Sequence, residues 1–294
     1  MGGEARQVKT KLEEYASIAL GLRAHGEGRS AGSGAEAGDD GEASVALKSS
    51  TQTEGIERMP QAEPQIQAEA LAEDAWLLRF GATIDVAVNA RVHAAAVRLQ
   101  ASMAGVECVS AYASLLLRFD PMEWLDEDGR FSGRRLRDAI DAAVHQASAL
   151  EPALREVVIP VCYGGDMGED LPDVAAHAQF SPEEVVARHT GVPYRVAMLG
   201  FAPGFPYLLG LDPALAMPRR GSPRRRVPAG SVAIGGQQTG IYPQALPGGW
   251  QLIGRTPLRL FDVTADSPSL LQPGDGVRFR AIDEGEYRRL AADA

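Results

Sequence analysis

The sequence of 294 residues predicts a small α+β domain followed by a mainly β domain, with a disordered tail before both. Three observations support this prediction. Residues 1–64 are rich in Gly, Ala, Ser and Glu and offer little to bury. Helix-type and strand-type apolar patterns then alternate, and from residue 194 short apolar runs alternate with Gly and Pro turns. We expect domains at 65–160 and 161–290.

The composition limits the class of partner. Hydrophobic residues make up 45% of the chain and charged residues 23%, as in ordinary globular proteins. The formal charge of -10 argues against nucleic acid and anionic membranes, so we expect a small-molecule substrate or protein partners. The start has no signal-peptide pattern, no run is long enough to span a bilayer, and the two cysteines form no metal or disulfide pattern. We therefore expect a cytoplasmic protein without a metal site.

The first domain is predicted from five patterns. A short amphipathic helix could form at 10–24 within the tail. Beyond it the order is a half-buried strand, a helix, a strand ended by Pro121, a helix and a buried strand, which predicts helices packed on one face of a sheet. These patterns cover 74–81, 83–103, 108–121, 132–150 and 155–165.

The second domain begins with two short helices within 166–191. The second helix has a capping box, with Ser181 as N-cap, Pro182 at the first position and Glu184 at the third. Short strands follow, and their close spacing favours a β-barrel or sandwich over a βαβ fold. The predicted strands are 194–201, 231–236, 238–243, 250–255, 258–263 and 276–282.

The segment 199–257 is the strongest functional signal, because it is dense in Gly and Pro yet carries aromatic and β-branched residues. Such a segment is typical of a rigid recognition surface rather than a linker. It holds five arginines within eight positions, between stiffening prolines. Guanidinium groups bind carboxylate or phosphate in a bidentate manner, so we predict Arg224 and Arg226 as ligand contacts. We expect Arg219, Arg220 and Arg225 to lie at the surface.

Other candidates flank these arginines. A Gly-rich turn could cradle an oxyanion with backbone N–H groups, although a plain β-turn explains it equally well. Arg255 at a strand end is a second candidate charge contact. Nearby aromatic residues form either a pocket wall or ordinary core, and His189 is explained by its place at a helix C-terminus. The candidates are Ser231, Gly235, Gly236, Gln238, Thr239, Gly240 and Tyr242 near the turn, and Phe201, Phe205 and Tyr207 for the wall.

Several long motifs resemble the allophanate hydrolase subunit 1 or carboxyltransferase-domain family, which includes the B-type subunit of the bacterial ATP-dependent 5-oxoprolinase. The resemblance covers about 65–285, and the tail has no counterpart in it. It is carried by GFAPGFPYL, VPAGSVAIGGQQTGIYP, PGGWQLIGRTP, YGGDMGEDLPDVA and SPEEVVARH, and more loosely by DAWLLRFG with NARVH.

The resemblance implies a cyclophilin-like β-barrel as the second domain and a heteromeric complex with subunits of the C and A types. Such a complex uses ATP to convert 5-oxoproline and water to glutamate, ADP and phosphate. The ATP, with Mg²⁺, is bound by the complex or by this chain. The resemblance further implies that Arg224, Arg226 and Arg255 contact phosphate or carboxylate. Gln238, Thr239 and Tyr242 then orient the substrate amide, while Gly235, Gly236 and Gly240 allow backbone approach.

Three other functions remain open from the sequence. The chain is similar to half of the carboxyltransferase module of urea carboxylase, which acts with carboxybiotin. It also resembles an inhibitor of a sporulation sensor kinase, which would perform no chemistry. Finally, it could be a scaffold whose active residues all lie in a partner subunit.

Overall fold

A computed structural model of the chain describes residues 66–145 and 155–292. The predicted disordered tail and the helix suggested at 10–24 lie outside these residues. The described chain forms a four-stranded sheet with two helices, followed by a closed seven-stranded barrel. The predicted α+β part followed by a mainly β barrel is confirmed.

The first part is an antiparallel sheet with strand order β1-β2-β4-β3. Helices α1 and α2 bury their apolar faces against it, and Leu99 and Leu136 are fully buried in the shared core. The elements are β1 (Gln67–Ala72), β2 (Ala75–Arg79), α1 (Val86–Ser102), β3 (Glu107–Ser110), β4 (Ser114–Arg118) and α2 (Gly133–His145).

Two details of the first part differ from the prediction. The single strand expected at 108–121 is a hairpin, because the chain reverses at Ala111–Ala113 and the Ala111 N–H bonds the Ser114 carbonyl at 2.8 Å. The reversal was not predicted, because its Ala-Tyr-Ala turn carries no Gly or Pro. Strand β1 was not predicted either, since its residues are mostly exposed or half-buried and lack an apolar run.

The barrel closes in the order β10-β7-β6-β13-β5-β12-β9. Only the β13–β5 pair of the barrel is parallel. A two-stranded ribbon of β8 and β11 lies beside the closed barrel. The strands are β5 (Glu156–Tyr163), β6 (Tyr194–Leu199), β7 (Pro206–Leu209), β8 (Arg224–Val227), β9 (Ser231–Gly235), β10 (Gln238–Ile241), β11 (Leu246–Gly248), β12 (Gln251–Arg255) and β13 (Gly276–Ile282).

Two strand predictions in this part need correction. The strand at 155–165, expected to follow the first sheet, is β5 and belongs to the barrel. The segment 258–263 forms only one isolated bridge, Phe261 to Ser269. There Asp262 accepts the Thr264 N–H at 3.0 Å and the Arg259 guanidinium at 2.9 Å, and so turns the chain that alternation alone predicted to be extended.

Three helices of the described chain accompany the barrel: α3 (Leu171–Ala178), α4 (Pro182–Thr190) and α5 (Glu284–Ala292), the last of which was not predicted. The predicted cap of α4 is confirmed, because Ser181 Oγ accepts the Glu184 N–H at 3.1 Å. In residues 66–145 and 155–292, no helix has both the length and the apolar composition needed to cross a bilayer.

His189 at the end of α4 lies inside the barrel and is fully buried. Thr239 donates its hydroxyl to the Ala233 carbonyl at 3.1 Å, so its oxygen accepts the proton of His189 Nε2, also at 3.1 Å. His189 Nδ1 then accepts the Tyr163 hydroxyl at 2.8 Å. Burial lowers the pKa of His189 to about 3, so the ring is neutral and is not the helix-terminal cation that we expected.

The two parts meet at a polar seam. Asn89 of α1 donates from its side-chain amide to the carbonyls of Ala111, Tyr112 and Ala197, at 3.1, 3.2 and 3.3 Å. The first two carbonyls belong to the β3–β4 turn and the third to barrel strand β6. Asn89 therefore fixes the β3–β4 turn against the outside of the barrel, where Tyr112 joins a buried apolar cluster.

The buried histidine makes stability depend on pH. Because the pKa of His189 is about 3 in the folded chain and near 6.5 when unfolded, the unfolded chain binds the extra proton as the pH falls below about 6.5. Between pH 8 and pH 5 we expect His189 to reduce the unfolding free energy by about 2 kcal/mol. His93, whose pKa burial lowers to about 4, acts in the same direction.

Urea unfolding at the two pH values measures this effect. His189→Gln should be less stable at pH 8 but should lose less stability on acidification than the wild type. His177→Gln, which changes an exposed histidine on α3, is the matched control and should keep the wild-type difference. Equal acid losses in His189→Gln and the wild type would contradict the assignment.

Candidate functional site

The site is organised by Asp170, the residue before α3, whose side chain is only 4% exposed. Its backbone N–H donates to the Leu252 carbonyl at 2.9 Å, and its Oδ2 accepts the Leu252 N–H at 2.7 Å. These two bonds fasten Asp170 to strand β12 of the barrel. Its second oxygen, Oδ1, is left to face the arginine-rich segment.

Asp170 Oδ1 accepts from two guanidinium groups, Arg220 Nη1 at 2.9 Å and Arg224 Nη2 at 2.8 Å. Arg224 also bonds Glu169 at 3.2 Å. The hydrogen bond from Arg224 to Asp170 raises the pKa of Arg224, which stays charged. Arg220, expected at the surface, is thus part of a compact group of two cations and two anions.

This ion group still has hydrogen-bond donors to spare. Arg220 Nε and Arg224 Nη1 are buried and have no hydrogen-bond partner among the described residues. A buried N–H of a guanidinium group normally meets an oxygen, from protein, water or ligand. The group can therefore bind a further oxygen-rich molecule without separating from Asp170.

An aromatic cluster lies beside the ion group and consists of Tyr112, Phe205, Tyr207, Tyr242 and Trp250, each at most 7% exposed. Phe205 is at its centre, with ring centroids 4.9 Å from Tyr207, 5.2 Å from Tyr242 and 5.8 Å from Trp250. Two of the predicted wall residues, Phe205 and Tyr207, are therefore packed inside the cluster.

Phe201, the third predicted wall residue, is different. Its side chain is largely solvent-exposed, at 59%, and its backbone φ is +66°. Left-handed backbone is unusual for a phenylalanine and costs conformational energy. The ring contacts Phe205 edge-on at 5.5 Å. The loop therefore holds an aromatic ring over the cluster but facing solvent.

The glycines serve a different purpose from the predicted one. A Cβ on Gly235 would lie 2.5 Å from the Trp250 ring, and one on Gly240 would lie 2.8 Å from the Pro206 carbonyl and 3.1 Å from Trp250. The close approach is therefore made by Trp250 and the neighbouring strand. At the turn, Gly236 donates its N–H to the Met217 carbonyl at 2.8 Å, so this group is not free to cradle an oxyanion.

The polar candidates divide into two groups. Thr239 faces the barrel interior and is used by His189, while Tyr242 is 2% exposed and packs its hydroxyl against Gly248. By contrast, Gln238 Oε1 and Ser231 Oγ are buried without a hydrogen-bond partner among the described residues. Gln238 and Ser231 therefore have unused hydrogen-bonding capacity, whereas the Thr239 hydroxyl is occupied.

The remaining predicted cations lie apart from Asp170. Arg226 is exposed and forms no ion pair within the described chain. Arg255 on β12 lies opposite Ser231 on β9, and its guanidinium group donates to the Asp166 carbonyl at 3.5 Å. Its Nε is buried and has no hydrogen-bond partner among the described residues. Within residues 66–145 and 155–292, no group of three or more His, Cys, Asp or Glu side chains is arranged to hold a metal ion.

The sequence did not indicate that Asp170 and Glu169 pair with the arginines, and the reason is topological. They lie more than 50 positions before Arg224 in the sequence. Only the closure of the barrel, which brings β12 beside the start of α3, places them together. The sequence shows the two acidic residues before Pro172 but does not indicate that arginines bind them.

Comparison with known families and proteins places these observations in context. A model of the family described as "Carboxyltransferase domain, subdomain C and D" matches residues 66–271. The chain is 46% identical over 228 residues to the B-type subunit of 5-oxoprolinase from Bacillus subtilis (strain 168), covering 75% of this chain and 95% of that protein. It is 58% identical over 140 residues to the B-type subunit of 5-oxoprolinase from Escherichia coli O157:H7, covering 48% of this chain and 64% of that protein.

Among solved structures, the chain is similar to the protein TTHA0988, with a TM-score of 0.60 and 42% sequence identity. The match covers 71% of this chain and 40% of that one. The chain thus spans well under half of the solved relative and nearly all of the Bacillus subtilis one.

The Asp170 ion group predicts a large effect of a small substitution. Asp170→Asn removes the negative charge between Arg220 and Arg224 and should lower the unfolding free energy by about 3 kcal/mol, because two partly buried cations lose their counter-charge. Asp74→Asn breaks an exposed pair with Arg118 and should cost about 0.5 kcal/mol. Urea unfolding of both variants is the test, and equal losses would show that Asp170 is merely a surface partner.

The close contact between Gly235 and the Trp250 ring predicts a second effect on stability. Gly235→Ala should lower the unfolding free energy by about 2 kcal/mol, since the new methyl group must displace the Trp250 ring. Gly221→Ala meets nothing within 4 Å and serves as control. Thermal unfolding followed by tryptophan fluorescence reports both stability and ring environment. An unchanged melting temperature in Gly235→Ala would contradict the predicted contact.

Proposed function

Because the chain belongs to the carboxyltransferase domain, subdomain C and D, family, we propose that it is the B-type subunit of a 5-oxoprolinase. In this role it helps to convert 5-oxoproline, ATP and water to glutamate, ADP and phosphate, together with subunits of the A and C types. The observation that carries the proposal is the 46% identity to a B-type 5-oxoprolinase subunit along 95% of that relative's length.

The site supports a substrate with a carboxylate and an amide. 5-Oxoproline has both, on a five-membered ring. The spare N–H groups of Arg220 and Arg224 suit carboxylate or amide oxygens, and their charge is already balanced by Asp170 and Glu169. A cation pair balanced in this way favours a substrate of low charge over a highly charged one.

The β9–β10 turn and the Asp170 ion group do not suit a triphosphate. The Gly236 N–H is bound to Met217, and the carboxylates beside Arg220 and Arg224 would repel phosphate oxygens. We therefore place ATP, with its Mg²⁺, on the partner subunits or between them and this chain. Opening the lactam requires breaking its C–N bond. Phosphorylation of the amide oxygen by the complex, with release of ADP, would activate the amide carbon toward water. The protonated ring nitrogen would then leave as the free amine, and hydrolysis of the resulting acyl phosphate would give glutamate and phosphate.

Within this proposal, Gln238 is the residue best suited to orient the substrate amide. Its buried Oε1 lacks a hydrogen-bond partner among the described residues and can accept an amide N–H. Thr239 and Tyr242, which the sequence grouped with it, have structural partners. We assign them to the support of the barrel and of Trp250.

The proposal predicts a substrate-selective, ATP-dependent activity. The chain purified with its A-type and C-type partners should form glutamate from 5-oxoproline and ATP, with ADP released in equal amount. Urea with bicarbonate and ATP is the competing substrate set, and allophanate formation would indicate the urea carboxylase alternative. Absence of glutamate under conditions where all three subunits co-purify would refute the proposed function.

Variants at the β9–β10 turn test the role of Gln238. Gln238→Ala should lower kcat/KM for 5-oxoproline about tenfold, since one hydrogen bond to the substrate is lost. Gln237→Ala changes the adjacent, exposed residue of the same turn and should stay within about twofold of the wild type. Equal kcat/KM values for the two variants would remove Gln238 from the substrate site.

A further inference from the structure

Tyr112, at the tip of the β3–β4 turn, has a buried hydroxyl without a partner. The residue is 3% exposed, and its oxygen has no hydrogen-bond partner in the described chain. Asn89 holds the turn in place through the Ala111 and Tyr112 carbonyls. Leaving a buried hydroxyl unpaired costs free energy, so its position points to a group that the protein alone does not supply.

Arg219 brings an uncompensated positive charge to the same place. Its guanidinium group lies over the Trp250 ring, 5.6 Å from the centroid. Unlike Arg220 and Arg224, it forms no ion pair in the part of the chain that the structure describes. Stacking on Trp250 therefore fixes the cation without neutralising it.

Tyr207 completes the arrangement. Its ring meets Tyr112 edge-on at 6.1 Å and Trp250 at 5.8 Å. Burial raises the pKa of both tyrosines, while the charge of Arg219 acts in the opposite direction on both. Both hydroxyls therefore stay protonated and can donate hydrogen bonds, and the ring contacts through Trp250 place Arg219 on the same side of the cluster.

We propose that Tyr112, Tyr207 and Arg219 form a subsite for the carboxylate of a small cyclic amide acid, located where the first sheet meets the barrel. The inference rests on the proposed function, because it assigns the carboxylate of 5-oxoproline to this subsite. Two neutral O–H donors and one cation match a singly charged anion. These groups lie at the edge of the buried apolar cluster that contains Trp250, Tyr207, Met198 and Leu209.

The assignment separates two kinds of hydrogen-bond donor. The Asp170 group, through Arg220 and Arg224, then faces the amide side of the substrate, and Arg219 with the tyrosines faces the acid side. Tyr112 also makes the first part of the chain a contributor to a site otherwise built from the barrel. A barrel without the β3–β4 turn would lack one of the three carboxylate contacts.

Tyr112→Phe tests the subsite with the loss of a single oxygen. Calorimetry on the full chain should show binding of 5-oxoproline and much weaker binding of 2-pyrrolidinone, which has the same ring without the carboxylate. The variant should bind 5-oxoproline about tenfold more weakly and 2-pyrrolidinone equally well. Its melting temperature without ligand should be unchanged or higher, because an unpaired hydroxyl has been removed.

Tyr194→Phe is the matched control. Tyr194 is equally buried, but its hydroxyl donates to the His189 carbonyl at 2.8 Å. Its loss should lower the melting temperature and leave 5-oxoproline affinity unchanged. If Tyr112→Phe behaves in the same way, the Tyr112 hydroxyl is a structural group paired with internal water and the subsite is refuted. Tighter binding of inorganic phosphate than of 5-oxoproline would also overturn it.

Activity measurements separate this inference from the proposed function. In the complex, Tyr112→Phe should raise KM for 5-oxoproline about tenfold with little change in kcat, as expected for a contact made equally in ground and transition states. Turnover with an unchanged KM would refute the subsite alone. Tyr112-dependent carboxylate binding in a complex that does not open 5-oxoproline would support the subsite and refute the proposed function.

Discussion

The buried carboxylate of Asp170 is the interaction on which the candidate site depends. The residue makes two hydrogen bonds with the β12 backbone and two with guanidinium groups, so both carboxylate oxygens are in use. A nearly inaccessible charge is tolerated only with such compensation. The two guanidinium groups in turn supply the counter-charge that Asp170 needs, while the backbone of Arg220 and Arg224 is held by Gly249 and Gly248. One residue therefore links α3, a barrel strand and the side chains of the arginine segment.

Glycine supports this arrangement by giving room to a ring. Gly235 and Gly240 lie on neighbouring strands, and Trp250 lies against both. Trp250 in turn carries the Arg219 guanidinium group. The glycines thus make room for the Trp250 ring, and the ring in turn positions the Arg219 guanidinium group. The glycine-rich turn therefore matters for the position of Trp250, although the Gly236 N–H is already bonded to Met217 and cannot bind a ligand.

The sequence predicted the elements with a strong local pattern and missed both the weakly patterned ones, such as β1, and the pairings that depend on closure of the barrel. The capping box at Ser181 and the apolar face of α1 were readable, because their partners are within four residues or one helical repeat. The pairing of β5 with β13 was not, since it joins residues about 120 positions apart. The same distance problem hid the pairing of Asp170 with Arg220 and Arg224, whereas Arg219 is exposed, as predicted. Residue type indicated an anion-binding segment, while only the fold decides which guanidinium group is already neutralised.

The arginines divide into those neutralised by carboxylates and those that are not, and the two kinds recognise ligands differently. Around Asp170 the charges cancel, so that region recognises shape and hydrogen bonds rather than charge. At Arg219 a charge persists, but its surroundings are rings and hydroxyls without a base or nucleophile among the described residues. Thr239 and His189 could supply such chemistry by type, yet both are enclosed in the barrel, and the histidine is neutral with both nitrogens bonded. Under the proposed function, the chain holds the substrate through these recognition groups while a partner subunit supplies the reacting groups, since His189 is sealed inside the barrel.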